Sequence, residues 1–139
     1  MRHPLLLVVD DDPRIRTLLR RRLQRAGFAV CEASNGREAL AILAYTTVSL
    51  ILLDILMPEL SGTDVVQQLR ADPHLAPTPI ILMTASPLVR PQSRPHPLGD
   101  MLFFTKPFAF EQLLAAIHCF VPAPTTSPGL PAPTVGALS

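Results

Sequence analysis

The chain has 139 residues and a net charge of +1, with 12 Lys and Arg against 11 Asp and Glu, so it suits one well-filled core and gives no bulk electrostatic reason to expect nucleic acid or an anionic membrane as partner. Hydrophobic residues make up 48% of it, yet each apolar run is far shorter than the roughly 18 residues of a membrane helix. No long apolar stretch follows Arg2 as a signal peptide would require, and a cytoplasmic location is expected.

In chain order, Leu5 to Asp10 is an apolar run ending in a carboxylate and reads as a buried strand. A helix over about Pro13 to Ala26 follows, with Asp12 as N-cap, Pro13 in the first turn and Gly27 as the stop. Ile15, Leu18, Leu19 and Leu23 form its apolar stripe. Arg14, Arg16, Arg20, Arg21, Arg22 and Arg25 occupy the rest, most simply as a solvated face, with partner docking as the other reading.

Phe28 to Ala33 is a short second strand. Ser34-Asn35-Gly36 then turns into a helix over about Arg37 to Tyr45, which packs through Ala39, Leu40, Ile42 and Leu43. Asn35 and Glu38 have the spacing of a capping box. Val48 to Asp54 is the third strand, followed by the loop Met57-Pro58-Glu59-Leu60-Ser61-Gly62 and a helix from about Gly62 to Arg70. Ile80 to Thr84 and Met101 to Thr105 are the fourth and fifth strands. The last helix, about Ala109 to Val121, turns Phe110, Leu113, Leu114 and Ile117 inward. Cys31 and Cys119 lie in apolar stretches without metal-ligand spacing, which reads as buried, reduced thiols. Strands alternating with helices predict an α/β fold with a parallel sheet.

Ligands of such sheets bind at the C-terminal strand tips. Asp10, Asp11 and Asp54 at neighbouring tips bring three carboxylates together, a repulsion that raises a pKa or is relieved by a cation. Oxygen-only ligands with room for water suit Mg²⁺. The plainer alternative is that Asp11 and Asp12 cap the next helix and Asp54 simply ends a strand. Thr84 and Lys106, at the tips of the fourth and fifth strands, add a hydroxyl and a positive charge, which an anionic phosphoryl group beside a metal would need.

These residues stand in four segments, Val8-Val9-Asp10-Asp11-Asp12, Leu53-Asp54-Ile55-Leu56-Met57-Pro58 with Gly62 after it, Met83-Thr84-Ala85 and Thr105-Lys106-Pro107-Phe108. Together they resemble the receiver domain of bacterial two-component response regulators, over about Leu5 to Val121. The resemblance implies a five-stranded parallel sheet of order 2-1-3-4-5 with helices on both faces. It also implies that Asp54 takes a phosphoryl group from the phosphohistidine of a sensor histidine kinase or histidine phosphotransfer protein. Mg²⁺ would be held by Asp10, Asp11, Asp54 and the backbone carbonyl of Leu56. Thr84 and Lys106 would hold the phosphoryl oxygens, Phe103 would be the switch aromatic, and the Lys106–Pro107 peptide would be cis.

The domains expected are a receiver over 1–121 and a disordered Pro/Ala/Thr/Ser-rich tail over 122–139. With no DNA-binding or catalytic sequence after the receiver, a stand-alone switch or a tail towards an output domain is expected, and no nucleic-acid contact through this domain. Ala109 stands where the family often has a capping residue. Pro87, Pro91, Pro95 and Pro97 break up the fourth helix of the family, so the segment from Ser86 to Pro97 is expected to be mostly irregular. A pseudo-receiver that binds partners without phosphorylation is the alternative function. A haloacid dehalogenase type of hydrolase is disfavoured, because Leu56 stands where that family has its second aspartate.

Overall fold

The computed structural model describes residues 4–55, 62–84, 101–105 and 109–121, and only the backbone of 63, 84, 101–103 and 105. Within them lie the strands β1 (Leu5–Val9), β2 (Ala29–Ala33), β3 (Leu50–Asp54), β4 (Ile80–Thr84) and β5 (Met101–Thr105). The helices there are α1 (Pro13–Arg25), α2 (Gly36–Leu43), α3 (Gly62–Ala71) and α4 (Phe110–Phe120). All strand pairs are parallel and the sheet order is β2-β1-β3-β4-β5, as the resemblance implies.

Side chains alternate across a strand, so each apolar run supplies two cores. Leu7, Val9, Ile51, Leu53, Ile80 and Leu82 face α2 and α3 on one side. Leu6, Val8, Leu50, Leu52, Ile81 and Met83 face α1 and α4 on the other. Burial of both faces is why these strands carry no polar residue before their C-terminal tips.

The helix ends follow local chemistry. Asp12 accepts the Arg14 amide at 2.9 Å and starts α1. At the other end Gly27 has φ 100°, a conformation that costs glycine little. It lets the Gly27 and Phe28 amides reach the carbonyls of Gln24 (3.0 Å) and Leu23 (3.1 Å), which closes the helix. Asn35 caps α2 by accepting the Glu38 amide at 2.8 Å. Glu38 does not return the bond to Asn35, as a capping box would; its carboxylate takes the Ser34 amide at 2.6 Å and the Ser34 hydroxyl at 3.0 Å. Ala109 gives α4 no side-chain cap.

Burial corrects two further expectations. Leu18 is 54% exposed, whereas Leu19 and Leu23 are buried, so the stripe of α1 that enters the core is narrower than its apolar spacing suggested. Cys119 is exposed and Cys31 half-buried, so the pair are not both core thiols. Burial still pushes the Cys31 thiol up from its ordinary pKa. The segment from Ser86 to Pro97, the Lys106–Pro107 peptide and the tail 122–139 lie outside the described residues.

Candidate metal centre

Register decides which residues meet. β1 and β3 are neighbours, with Val9 paired to Leu53, so Asp10, one step beyond the ladder, lies level with Asp54 at the end of β3. The Asp10 amide donates to the Ala33 carbonyl (3.1 Å), which holds it against β2 as well. Asp11 is the next residue along. One carboxylate oxygen from each of Asp10, Asp11 and Asp54 lies within 4.8 Å of the others. Asp10 is fully buried and Asp54 is 6% exposed, whereas Asp11 is open to solvent.

Such a set fits a hard divalent cation. The donors are all oxygen, two are buried, and the third faces water, leaving room for retained water molecules as Mg²⁺ requires. Three formal negative charges so close together cost free energy that a divalent cation relieves. The spacing therefore supports the cation reading of the acidic residues over the plainer one for Asp11, while Asp12 does serve as the cap. The Asp12 carboxyl is held below its ordinary pKa chiefly by the Arg14 backbone amide, with the Arg14 charge helping and desolvation opposing.

The turn between β1 and α1 is braced. Asp10 Oδ1 accepts the Asp12 amide at 2.9 Å, and the Asp10 carbonyl accepts Arg16 Nη1 at 2.8 Å. Arg16 Nε is 3.3 Å from Glu32 Oε1 and Arg20 Nε is 2.6 Å from Glu32 Oε2. Arg16, Arg20 and Arg22, whose guanidinium sits 5.3 Å from the Phe110 ring centroid, are thus engaged and not merely solvated, a correction to the simple basic face. Sequence spacing could not reveal the Arg16 contact, because Arg16 lies on α1 and Glu32 on β2.

Behind Asp54, Ile55 donates its amide to the Met83 carbonyl (2.9 Å) and accepts the Gly62 amide (2.9 Å). Asp54 pairs with Met83 and Thr84 with Thr105. The Thr84 backbone therefore ends the strand next to Asp54, and Phe103 pairs with Leu82 within β5. The side chains of Thr84 and Phe103, and all of Leu56 and Lys106, lie outside the described residues.

Comparison with known proteins agrees with this geometry. The family model "Response regulator receiver domain" matches residues 6–118. The DNA-binding dual master transcriptional regulator RpaA of Synechocystis sp. is 32% identical over 118 residues, covering 85% of this chain and 49% of that protein. Response regulator MprA of Mycolicibacterium vanbaalenii is 37% identical over 124 residues, covering 89% and 53%. The chain thus spans about half the length of these curated relatives. Among solved structures, the response regulator TrrA of Thermotoga maritima in complex with Mg²⁺ and BeF superposes with a TM-score of 0.75 at 34% identity, covering 85% of this chain and 99% of that one. The chemotaxis response regulator CheY4 of Vibrio cholerae gives a TM-score of 0.77 at 30% identity, covering 86% and 100%.

Proposed function

Because the chain belongs to the response regulator receiver domain family, the phosphorylation switches of two-component signalling, we propose that Asp54 is its phosphoacceptor and Asp10 and Asp11 its metal ligands. The observation that carries the reading is the trio of carboxylate oxygens within 4.8 Å at two adjacent strand tips. One Asp54 oxygen attacks the phosphorus of a phosphohistidine on a sensor histidine kinase or histidine phosphotransfer protein. The P–N bond breaks, the imidazole leaves, and an acyl phosphate remains on Asp54.

Asp10, Asp11, Asp54 and the Leu56 carbonyl would hold Mg²⁺, which when bound supplies positive charge to the phosphoryl oxygens. Thr84 donates its hydroxyl to one of those oxygens and Lys106 pairs with another, while Phe103 follows Thr84 in the switch. The receiver is residues 1–121, with 122–139 a Pro/Ala/Thr/Ser-rich tail. The protein is a phosphoacceptor switch in the cytoplasm, not an enzyme turning over a small substrate, and this domain itself contacts no nucleic acid. Among the described residues no helix is long and apolar enough to cross a membrane. Relatives named as response regulators lend no support to a pseudo-receiver that signals without phosphorylation.

Incubation with acetyl phosphate and Mg²⁺, followed by intact-mass analysis, tests the reading. One phosphoryl group should appear on the wild type and none on Asp54→Asn, and omission of Mg²⁺ should suppress it. Equal labelling of Asp54→Asn would overturn the assignment.

A further inference from the structure

We propose that Arg16 is a positioning residue for the metal centre: its guanidinium fixes the Asp10–Asp11 peptide, and Glu32 fixes the guanidinium. This rests on the reading of Asp10 and Asp11 as ligands. The Asp10 carbonyl is the first beyond the β1 ladder, which ends at Val9 against both Ala33 and Leu53. It belongs to a residue with no exposed surface, and a buried carbonyl past its ladder needs another donor. Arg16 supplies a charge-assisted one at 2.8 Å.

The consequence reaches Asp11. The Asp10 carbonyl and the Asp11 amide share one rigid peptide plane, so fixing the carbonyl sets the direction in which the exposed Asp11 leaves the strand. Without that restraint, Asp10 is still held through its own amide and its carboxylate. Among the described residues Asp11 makes no side-chain hydrogen bond, so there the turn aims its carboxylate.

Glu32 completes the device. Its two oxygens take Arg16 Nε (3.3 Å) and Arg20 Nε (2.6 Å), which relieves repulsion between guanidinium groups one helical turn apart and leaves Arg16 Nη1 for the carbonyl. An exposed ion pair would contribute little. The Arg16 side chain, however, is only 18% exposed, and its planar fork serves the carboxylate and the carbonyl together, a geometry that a lysine cannot reproduce.

The full chain carrying Arg16→Lys, Arg16→Met, Glu32→Gln or Arg20→Met is titrated with Mg²⁺, following the amide resonances of Asp10 to Asp12 by NMR, with thermal midpoints recorded in parallel. Both Arg16 variants should weaken Mg²⁺ binding about tenfold, as loss of a residue orienting a metal ligand does, and Arg20→Met should stay close to wild type. Because lysine keeps the charge, a role for charge alone predicts wild-type affinity in Arg16→Lys and tighter binding in Arg16→Met. That result, or equal weakening by Arg20→Met, overturns the proposal. Should Arg16→Met not fold, Arg16→Lys and Glu32→Gln decide: weakened binding at an unchanged thermal midpoint supports positioning, and wild-type affinity in both overturns it. Absence of Mg²⁺ binding in the wild type would overturn this proposal and the metal assignment together. Mg²⁺ binding without acetyl phosphate labelling would overturn the phosphoacceptor reading alone.

Discussion

At position 62 a β-carbon would lie 2.6 Å from the Asp54 carbonyl oxygen and 2.7 Å from Ile55 Cα, both backbone atoms that cannot swing aside. Gly62 is therefore demanded by the close approach of α3 to the strand end that carries Asp54. Gly62→Ala should lower stability by about 1–3 kcal/mol, the usual cost of overpacking, and slow acetyl phosphate labelling as Asp54 shifts. Urea denaturation and labelling rates check both, and an unchanged protein would contradict the close approach. Leucines on α1 offer a second contrast. Leu23 has no exposed surface and Leu18 is 54% exposed. Leu23→Ala should cost about 2–5 kcal/mol and Leu18→Ala less than about 0.5 kcal/mol, since only the first leaves a cavity. Equal effects in urea denaturation would place both side chains in the core after all.

At the scale of elements, the start of α2 titrates. Glu38 is held below its ordinary pKa first by the Ser34 amide and then by the Ser34 hydroxyl, with desolvation opposing and the Arg16 charge adding a little. A carboxyl with a depressed folded-state pKa stabilises the fold above its unfolded pKa, and that contribution disappears as pH falls through the folded value. The loss thus begins near pH 4.5, the ordinary value, and continues below it. Because Glu38 is exposed, screening keeps the contribution at about 0.5 kcal/mol or less. Glu38→Gln should lower the thermal midpoint at pH 7 and converge with wild type in acid; a difference that persisted at pH 3 would show that the charge of Glu38 is not its source. The cap itself was legible in the sequence, since Asn35 and Glu38 have the spacing. Which amide Glu38 reaches was not, because Ser34 and Asn35 present neighbouring donors and only the folded turn chooses between them.

At the scale of the whole molecule, the sheet holds together three carboxylates that repel one another, so a divalent cation should stabilise the fold. Mass action gives about 1.4 kcal/mol at a Mg²⁺ concentration ten times Kd. Thermal midpoints should rise with Mg²⁺ in the wild type and stay flat in Asp11→Ala; an equal rise in both would remove Asp11 from the site. The strands could be read directly from runs such as Leu50–Asp54, because a strand buried on both faces is apolar at each position until its tip, which is a local property of composition. Helix ends at Asp12, Gly27 and Asn35 were equally legible, since caps are satisfied by residues a few positions away. The tertiary structure alone decided that Leu18 stays in solvent, because the width of a buried stripe depends on how closely a helix lies against the sheet. It alone brought Glu32 to Arg16 and Arg20, and Gly62 to the backbone of Asp54. The Glu32 contacts join residues far apart in the chain, and the closeness of Gly62 to Asp54, a residue already in the same segment, is like them set by strand register and helix packing.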